Sequence, residues 1–163
     1  MSRATITVQV EEPRWRNCGV DPGRVRAAAR LALARGLESK TAEGERRFAL
    51  TILLANDARL RDLNAQFRNT DSPTNVLSFP APAGSGGYLG DVALALDVAA
   101  REAAAAGKRL SDHAAHLTVH GVLHLLGYDH LKAREARTME SLETAVLHEL
   151  GIANPYAPAA AAE

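Results

Sequence analysis

The sequence predicts an α+β fold, in which a small mixed β-sheet of about four strands packs against about five helices. One observation is the order of segments along the 163 residues: strand, helix, strand, helix, two strands and then three helices. Such segregated runs are typical of α+β proteins. Another is that the segment 112–126 is apolar on nearly every side, which indicates a buried central helix. A chain of this length is expected to form a single domain, 1–153.

The first two elements have clear local reasons. Residues 4–10 alternate between apolar and polar, as a half-buried strand does. Asp21 followed by Pro22 is typical of a helix start, because aspartate caps the first turn and proline lacks only an N–H that would be unpaired there. Gly36 is expected to stop this helix after Arg35, since glycine commonly follows the last helical residue.

The later elements are bounded in the same way by capping residues, prolines and glycines. Further strands are predicted at 46–55, 75–79 and 88–96. Further helices are predicted at 57–67, 97–106, 112–126 and 132–150. Asn56 or Asp57 is the expected cap of the first of these helices, and Ser111 that of the helix 112–126. The biased segment 154–163 is expected to be a disordered tail.

Three histidines with the spacing H-x3-H-x5-H dominate the second half of the chain. His120 and His124 are four residues apart, so they point the same way on a helix. Gly127 can adopt a left-handed conformation that ends this helix, and the chain can then bring His130 back to the other two. Three neutral imidazoles with a fourth position open are typical of catalytic zinc. We therefore expect one zinc ion per chain, bound by these three histidines.

The residue after the first histidine separates this pattern from that of the zinc peptidases. The peptidase pattern H-E-x-x-H-x-x-G-x-x-H has a glutamate there, which takes the proton from water on the metal. Here the position is Gly121, so hydrolysis of a bond other than the peptide bond is favoured. His113 and His116 extend the histidine stripe backwards, and are expected to support the ligands, face a substrate or be structural.

Composition narrows the class of protein further. Lys+Arg and Asp+Glu are both 19, so the net charge is about zero, whereas proteins that wrap duplex nucleic acid are usually basic. A local basic patch is still compatible with this composition. The lone Cys18 excludes an internal disulfide, suits a reducing compartment and is expected to be buried. Since neither a leader peptide nor a run of about 18 apolar residues occurs, we expect a soluble, cytoplasmic protein with no membrane partner.

Three sequence blocks occur in order: N-x-x-F-R-x-x-D-x-P-T-N-V-L-S-F-P at 64–80, L-G-D-V at 89–92 and H-G-x-L-H-L-x-G-Y-D-H at 120–130. Together they resemble the YbeY endoribonucleases, bacterial factors of ribosomal-RNA maturation, over nearly the whole chain. The resemblance implies a zinc-dependent RNase that is selective for single strands, trims the 3′ end of small-subunit (16S) ribosomal RNA and acts in ribosome quality control. The implied partners are ribosomal RNA, single-stranded RNA and small-subunit components.

The resemblance also implies a functional role for Arg68, whose planar guanidinium matches two phosphate oxygens and suits the charge that builds up during phosphodiester cleavage. Thr70 and Ser72 stand where members often have lysines, so the basic patch beside Arg68 is expected to be thin. Asp91 is the second catalytic candidate, because it could orient a ligand or move a proton. It is equally expected as a turn residue at a strand end.

Several further residues are candidates for support or for contact with RNA. His116 is one, and Asp129 is expected either to hydrogen-bond a ligand histidine or to cap the last helix. Tyr128 is expected to pack, with stacking on a base as the alternative. Arg59 and Arg61 would extend a surface for the RNA backbone, or else form a solvated helix face.

Three functions stay open at this point. The first is a zinc-dependent endoribonuclease. The second is a non-catalytic ribosome-assembly factor with a structural zinc, which the neutral net charge keeps open. The third is a metzincin-like hydrolase, against which the missing glutamate at Gly121 argues.

Overall fold

The computed structural model describes residues 3–38, 47–68 without the side chain of Arg68, and 74–156. In these ranges the chain forms four strands and six helices. The strands are β1 (Arg3–Val10), β2 (Arg47–Ala55), β3 (Val76–Pro80) and β4 (Tyr88–Ala95). The helices are α1 (Arg14–Asn17), α2 (Pro22–Glu38), α3 (Asp57–Arg68), α4 (Leu96–Ala105), α5 (Leu110–Leu125) and α6 (Ala133–Glu149). The predicted α+β class is confirmed, with one helix more than expected.

The strands form one mixed sheet in the order β1-β2-β4-β3. β1 is parallel to β2, and β2 is parallel to β4, whereas β3 and β4 are antiparallel. Parallel neighbours need long crossover connections, and the helices between these strands supply them. The order also makes β3 an edge strand, which leaves it beside the end of α5 rather than in the middle of the sheet.

Strand alternation divides the core between the two faces of the sheet. Ile52 of β2 and Val92 of β4 belong to a large apolar cluster that includes α2, α5 and α6. Leu53 and Ala93, which point the other way, belong to a smaller cluster with Leu60 of α3. α5 contacts β3, β4 and the helices α2, α4 and α6, so the predicted central helix is confirmed.

The helix that the sequence did not predict is α1, which is only four residues long. Its Trp15 is fully buried, and the indole N–H donates to the carbonyl of Ala55 at 2.8 Å. A single turn carries too little periodicity to be recognised from a sequence. The tertiary contact at the end of β2 fixes it instead.

Two predicted helix ends are wrong. α2 continues through Gly36 to Glu38. Gly36 is part of the helix and does not stop it, and α2 packs closely on Leu126 there, since a Cβ atom on Gly36 would lie 2.5 Å from Cδ1 of that leucine. α5 begins at Leu110 after Arg109, and Ser111 lies within its first turn without capping it. The predicted cap at Asn56 is present, since its Oδ1 accepts the N–H of Arg59 at 2.8 Å.

Two further expectations differ from the structure. Cys18 is exposed, since it follows the short α1 at the surface. Residues 154–156, predicted to start a disordered tail, lie against α6: Asn154 accepts a hydrogen bond from Thr144 at 3.3 Å, and Tyr156 donates one to Glu143 at 2.9 Å. The rest of that predicted tail, 157–163, is outside the described residues.

Among the helices described, none has the length and apolarity needed to cross a bilayer.

Candidate metal centre

The contact between α5 and the sheet determines where the first two histidines emerge. α5 rests on the sheet at Gly121, whose carbonyl accepts a hydrogen bond from the Ser78 hydroxyl of β3 at 3.0 Å. His120 directly precedes this contact, and His124 follows one helical turn later. Both imidazoles therefore line a single cleft beside the edge strand β3.

A glycine turn brings the third histidine to this cleft. Gly127 has a φ of 96°, in the left-handed region that favours glycine. The N–H of Gly127 donates to the carbonyl of His124 at 3.0 Å, and that of Tyr128 donates to Leu123 at 3.1 Å. These two bonds form a Schellman motif, which closes the helix and reverses the chain. The turn predicted from the sequence is therefore present, and it returns His130 to the other two.

The three imidazoles converge as ligands of one ion would. One nitrogen atom from each of His120, His124 and His130 lies within 4.8 Å of the others. The Nε2 atoms of His120 and His124 are 3.1 Å apart. Tetrahedral coordination with metal–nitrogen bonds of about 2.0–2.1 Å places ligand nitrogens about 3.3 Å apart, close to this separation. The residues present therefore fit a metal ion with three nitrogen ligands.

The cleft beside the histidines has room for more than an ion. Its volume is about 500 Å³, and one wall consists of β3 and the residue before it. The other wall is the loop after α5, with Asp129, the exposed His130 and Leu131, which is 83% exposed. A site with three protein ligands and an open side leaves a coordination position for water or substrate.

The electrostatic setting favours the neutral form of one of the three histidines. Burial, followed by repulsion from His120 and His130, lowers the pKa of His124 below its ordinary value. A neutral imidazole is the form that binds a metal ion, so the same crowding favours the ligand state. Asp129 acts on the backbone: its Oδ1 accepts the N–H of His130 at 2.7 Å, which holds the loop that carries this third histidine. The N-cap position of α6 is Lys132, which makes no side-chain capping hydrogen bond, so Asp129 is not the cap of this helix.

Beneath the histidines lies a carboxylate that the sequence analysis missed. Glu143 of α6 is 0% exposed, and its Oε1 lies 3.2 Å from Nδ1 of His120 and 2.8 Å from Nε2 of His116. Burial opposes ionisation of Glu143, but the hydrogen bonds from His116 and His120 outweigh it and lower the pKa to about 2. His116, a predicted supporting residue, therefore contacts this carboxylate and is not in the three-histidine cluster.

The signal for Glu143 was present in the sequence. It lies four residues after Met139 and three before Val146, and both of these are buried on the inner face of α6. A glutamate on that apolar face needs a partner, because a lone buried charge is strongly disfavoured. His113 has a separate acid of its own: its Nε2 lies 2.9 Å from Oε1 of Glu102, which also accepts a hydrogen bond from Asn75 at 2.9 Å.

Asp91 lies away from the histidines, which corrects the expectation that it acts on a ligand. The next residue, Val92, faces α5, so alternation turns Asp91 toward the opposite face of the sheet. There it accepts a hydrogen bond from the Tyr88 hydroxyl and lines a groove of about 750 Å³. Arg59 lines the same groove and is paired with Glu11 at 3.4 Å.

Of the remaining candidates, some have side chains in the described part of the structure and others do not. Arg61 is exposed on α3. Arg68 is the last residue of α3, and its side chain lies outside the described part of the chain, as do Thr70 and Ser72. Tyr128 is a packed aromatic, as expected, because its hydroxyl donates to the carbonyl of Gly36 at 2.7 Å.

Fold and site together define an α+β protein with a three-histidine centre that opens into a cleft. The family model described as "Endoribonuclease YbeY" matches residues 14–151. The chain belongs to this family.

Individual relatives agree with the family model over most of their length. A protein named endoribonuclease YbeY from Ruegeria pomeroyi is 43% identical, with 93% of this chain and 98% of the relative covered. One of the same name from Bordetella pertussis is 48% identical, with 88% and 87% covered. The solution structure of a Thermotoga maritima protein has a TM-score of 0.57 at 19% identity, and covers 94% of this chain and 100% of its own. That structure supports the fold alone.

Proposed function

We propose that this protein is an endoribonuclease that uses a zinc ion held by His120, His124 and His130 to hydrolyse single-stranded RNA. The observation that carries the proposal is the convergence of three imidazoles in an open cleft, in a chain whose relatives are named endoribonucleases. Within this proposal, the RNA is that of the small ribosomal subunit, processed at its 3′ end in the cytoplasm and during ribosome quality control. Components of the small subunit are the proposed partners.

Zinc is the proposed ion because of the chemistry of the ligands. Three neutral nitrogen donors with an open position are the set found in catalytic zinc sites, whereas magnesium and calcium prefer oxygen ligands. When bound, zinc supplies Lewis acidity that polarises a phosphoryl oxygen and makes water a better nucleophile. The contribution of the protein is to fix the three imidazoles and to lower the pKa of His124, which favours its neutral, metal-binding form.

The other side chains have distinct proposed tasks. Arg68 binds the scissile phosphate through two guanidinium N–H groups and stabilises its extra negative charge in the transition state. The cleft offers Val76 and Leu77 of β3 as an apolar wall, and Asn75 as a polar group, for a nucleotide beside the histidines. Gly121 carries no side chain that could accept a proton, so the glutamate mechanism of the zinc peptidases is not proposed.

Cleavage assays with matched variants test this function. The substrate is a single-stranded RNA oligonucleotide, compared with the same sequence in a duplex. We expect the zinc-loaded protein to cleave the single strand preferentially and His124→Ala to lose both zinc and cleavage. Arg134→Ala, on the exposed start of α6, serves as the control and should cleave normally. If the wild-type protein binds zinc and cleaves no RNA, the assembly-factor function replaces the enzymatic one.

A further inference from the structure

The partners of Glu143 are unusual for a fully buried carboxylate. In the described part of the chain, it contacts two imidazoles and a phenol, and not a lysine or an arginine. Its Oε1 lies 2.8 Å from Nε2 of His116 and 2.9 Å from the Tyr156 hydroxyl, and both oxygens lie within 3.3 Å of Nδ1 of His120. The acid is thus fixed between one metal-ligand histidine and two residues that are not ligands.

This arrangement decides which nitrogen of His120 carries a proton. An ionised carboxylate only accepts hydrogen bonds, so the nitrogen facing it, Nδ1, must be the donor. In a neutral imidazole the other nitrogen then has a free lone pair. That nitrogen, Nε2, is the one that lies 3.1 Å from Nε2 of His124, on the side where the three ligands converge.

We propose that Glu143 is a positioning residue, which fixes the tautomer and the ring orientation of His120 so that Nε2 is presented to the metal ion. The inference rests on the proposed metal centre and names the residue that orients one of its histidines. Carboxylates behind a ligand histidine fix the ring and make it more basic, and their loss typically weakens metal binding by about 10–100-fold.

The segment after α6 belongs to the same support. Tyr156 donates its hydroxyl proton to Glu143, and its ring packs edge-on against His116 with centroids 5.5 Å apart. Its backbone N–H donates to Asn154 at 2.9 Å, and Asn154 accepts a further bond from Thr144 of α6 at 3.3 Å. The turn at 154–156 therefore holds the phenol over the carboxylate, which restricts the rotation of Glu143.

The test compares Glu143→Gln with Glu135→Gln, a control at an exposed position of the same helix. Zinc affinity is measured by competition with a chromophoric chelator. We expect Glu143→Gln to bind zinc about 10–100-fold more weakly and the control to match the wild type. Nitrogen-detected NMR of the histidine rings at mildly alkaline pH gives a second readout. His120 should carry its proton on Nδ1 in the metal-free wild type and become a mixture of tautomers in Glu143→Gln.

A folded Glu143→Gln variant with wild-type zinc affinity overturns the inference, and so does an unchanged tautomer of His120. If Glu143→Gln does not fold, the half-exposed Tyr156→Phe carries the test. It removes one hydrogen bond to the carboxylate and should weaken zinc binding by about 2–10-fold. Wild-type affinity in that variant overturns the inference.

A further variant, His124→Ala, separates this inference from the proposed metal centre. If it binds zinc as tightly as the wild type, the metal centre is not formed by these histidines, and both proposals fall. If His124→Ala loses zinc while Glu143→Gln retains full affinity, only the role of Glu143 fails.

Discussion

Gly121 of α5 packs directly against Val92 of β4. A Cβ atom on Gly121 would lie 2.5 Å from Cγ1 and 3.1 Å from Cγ2 of this valine, and 3.2 Å from the Ser78 hydroxyl. The residue after the first histidine is therefore packed against the sheet. In the zinc peptidases, this position of the motif is a glutamate. A glutamate at this position is incompatible with this packing, because even its Cβ atom would lie too close to Val92.

We expect Gly121→Ala to destabilise the protein by about 1–3 kcal/mol, because a methyl group would overpack a rigid, β-branched neighbour. Gly36→Ala is the matched control: its Cβ atom would also meet a carbon at 2.5 Å, but that carbon is the flexible end of Leu126. There, movement of the leucine and the gain in helix propensity of up to about 1 kcal/mol should leave stability nearly unchanged. Urea unfolding of both variants measures the difference, and equal losses would contradict this account.

Removal of zinc should lower the melting temperature. A ligand at one hundred times its dissociation constant stabilises the native state by about 2.7 kcal/mol. For a chain of this size, that corresponds to a shift of about 5–10 °C. Calorimetry before and after dialysis against a chelator measures the shift. His124→Ala should melt at the same temperature with and without the chelator, and a large shift in that variant would place the ion elsewhere.

Arg68 should matter for cleavage and not for the metal. Arg68→Ala is expected to retain the zinc affinity and the fold but to lose on the order of 10²–10³ in the rate of RNA cleavage, the typical effect of one charge-stabilising contact. Arg68→Lys should recover little, since a point charge cannot form the two parallel bonds of a guanidinium. Single-turnover rates with saturating RNA measure both. A wild-type rate for Arg68→Ala would show that this arginine is a surface residue.

Asp91 should prove independent of the metal centre. Asp91→Asn keeps the size of the side chain and changes the group that accepts the Tyr88 hydroxyl, on the face of the sheet away from α5. We expect the zinc affinity of Asp91→Asn to equal that of the wild type. By contrast, His130→Ala replaces a predicted zinc ligand and should lose zinc. Competition with a chelator gives both values, and a tenfold loss in Asp91→Asn would tie the two faces of the sheet together.

The sequence by itself determined the class of fold and the core of the site. Alternation and caps placed the four strands and the five longer helices, because those signals are local and repeat over many residues. The spacing of the three histidines, with Gly127 after the second, contained the geometry of convergence, since helix pitch and a left-handed glycine are properties of a few consecutive residues.

Only the tertiary structure decided what depends on residues far apart in the chain. Glu143 reaches His120 across 23 positions, and Trp15 reaches Ala55 across 40, so neither contact is visible in a local pattern. Gly36 reads as a helix stop in the sequence, yet α2 continues through it to Glu38, and Leu126 packs closely against it. These outcomes were set by packing between distant elements, which overrides local propensity wherever burial requires it.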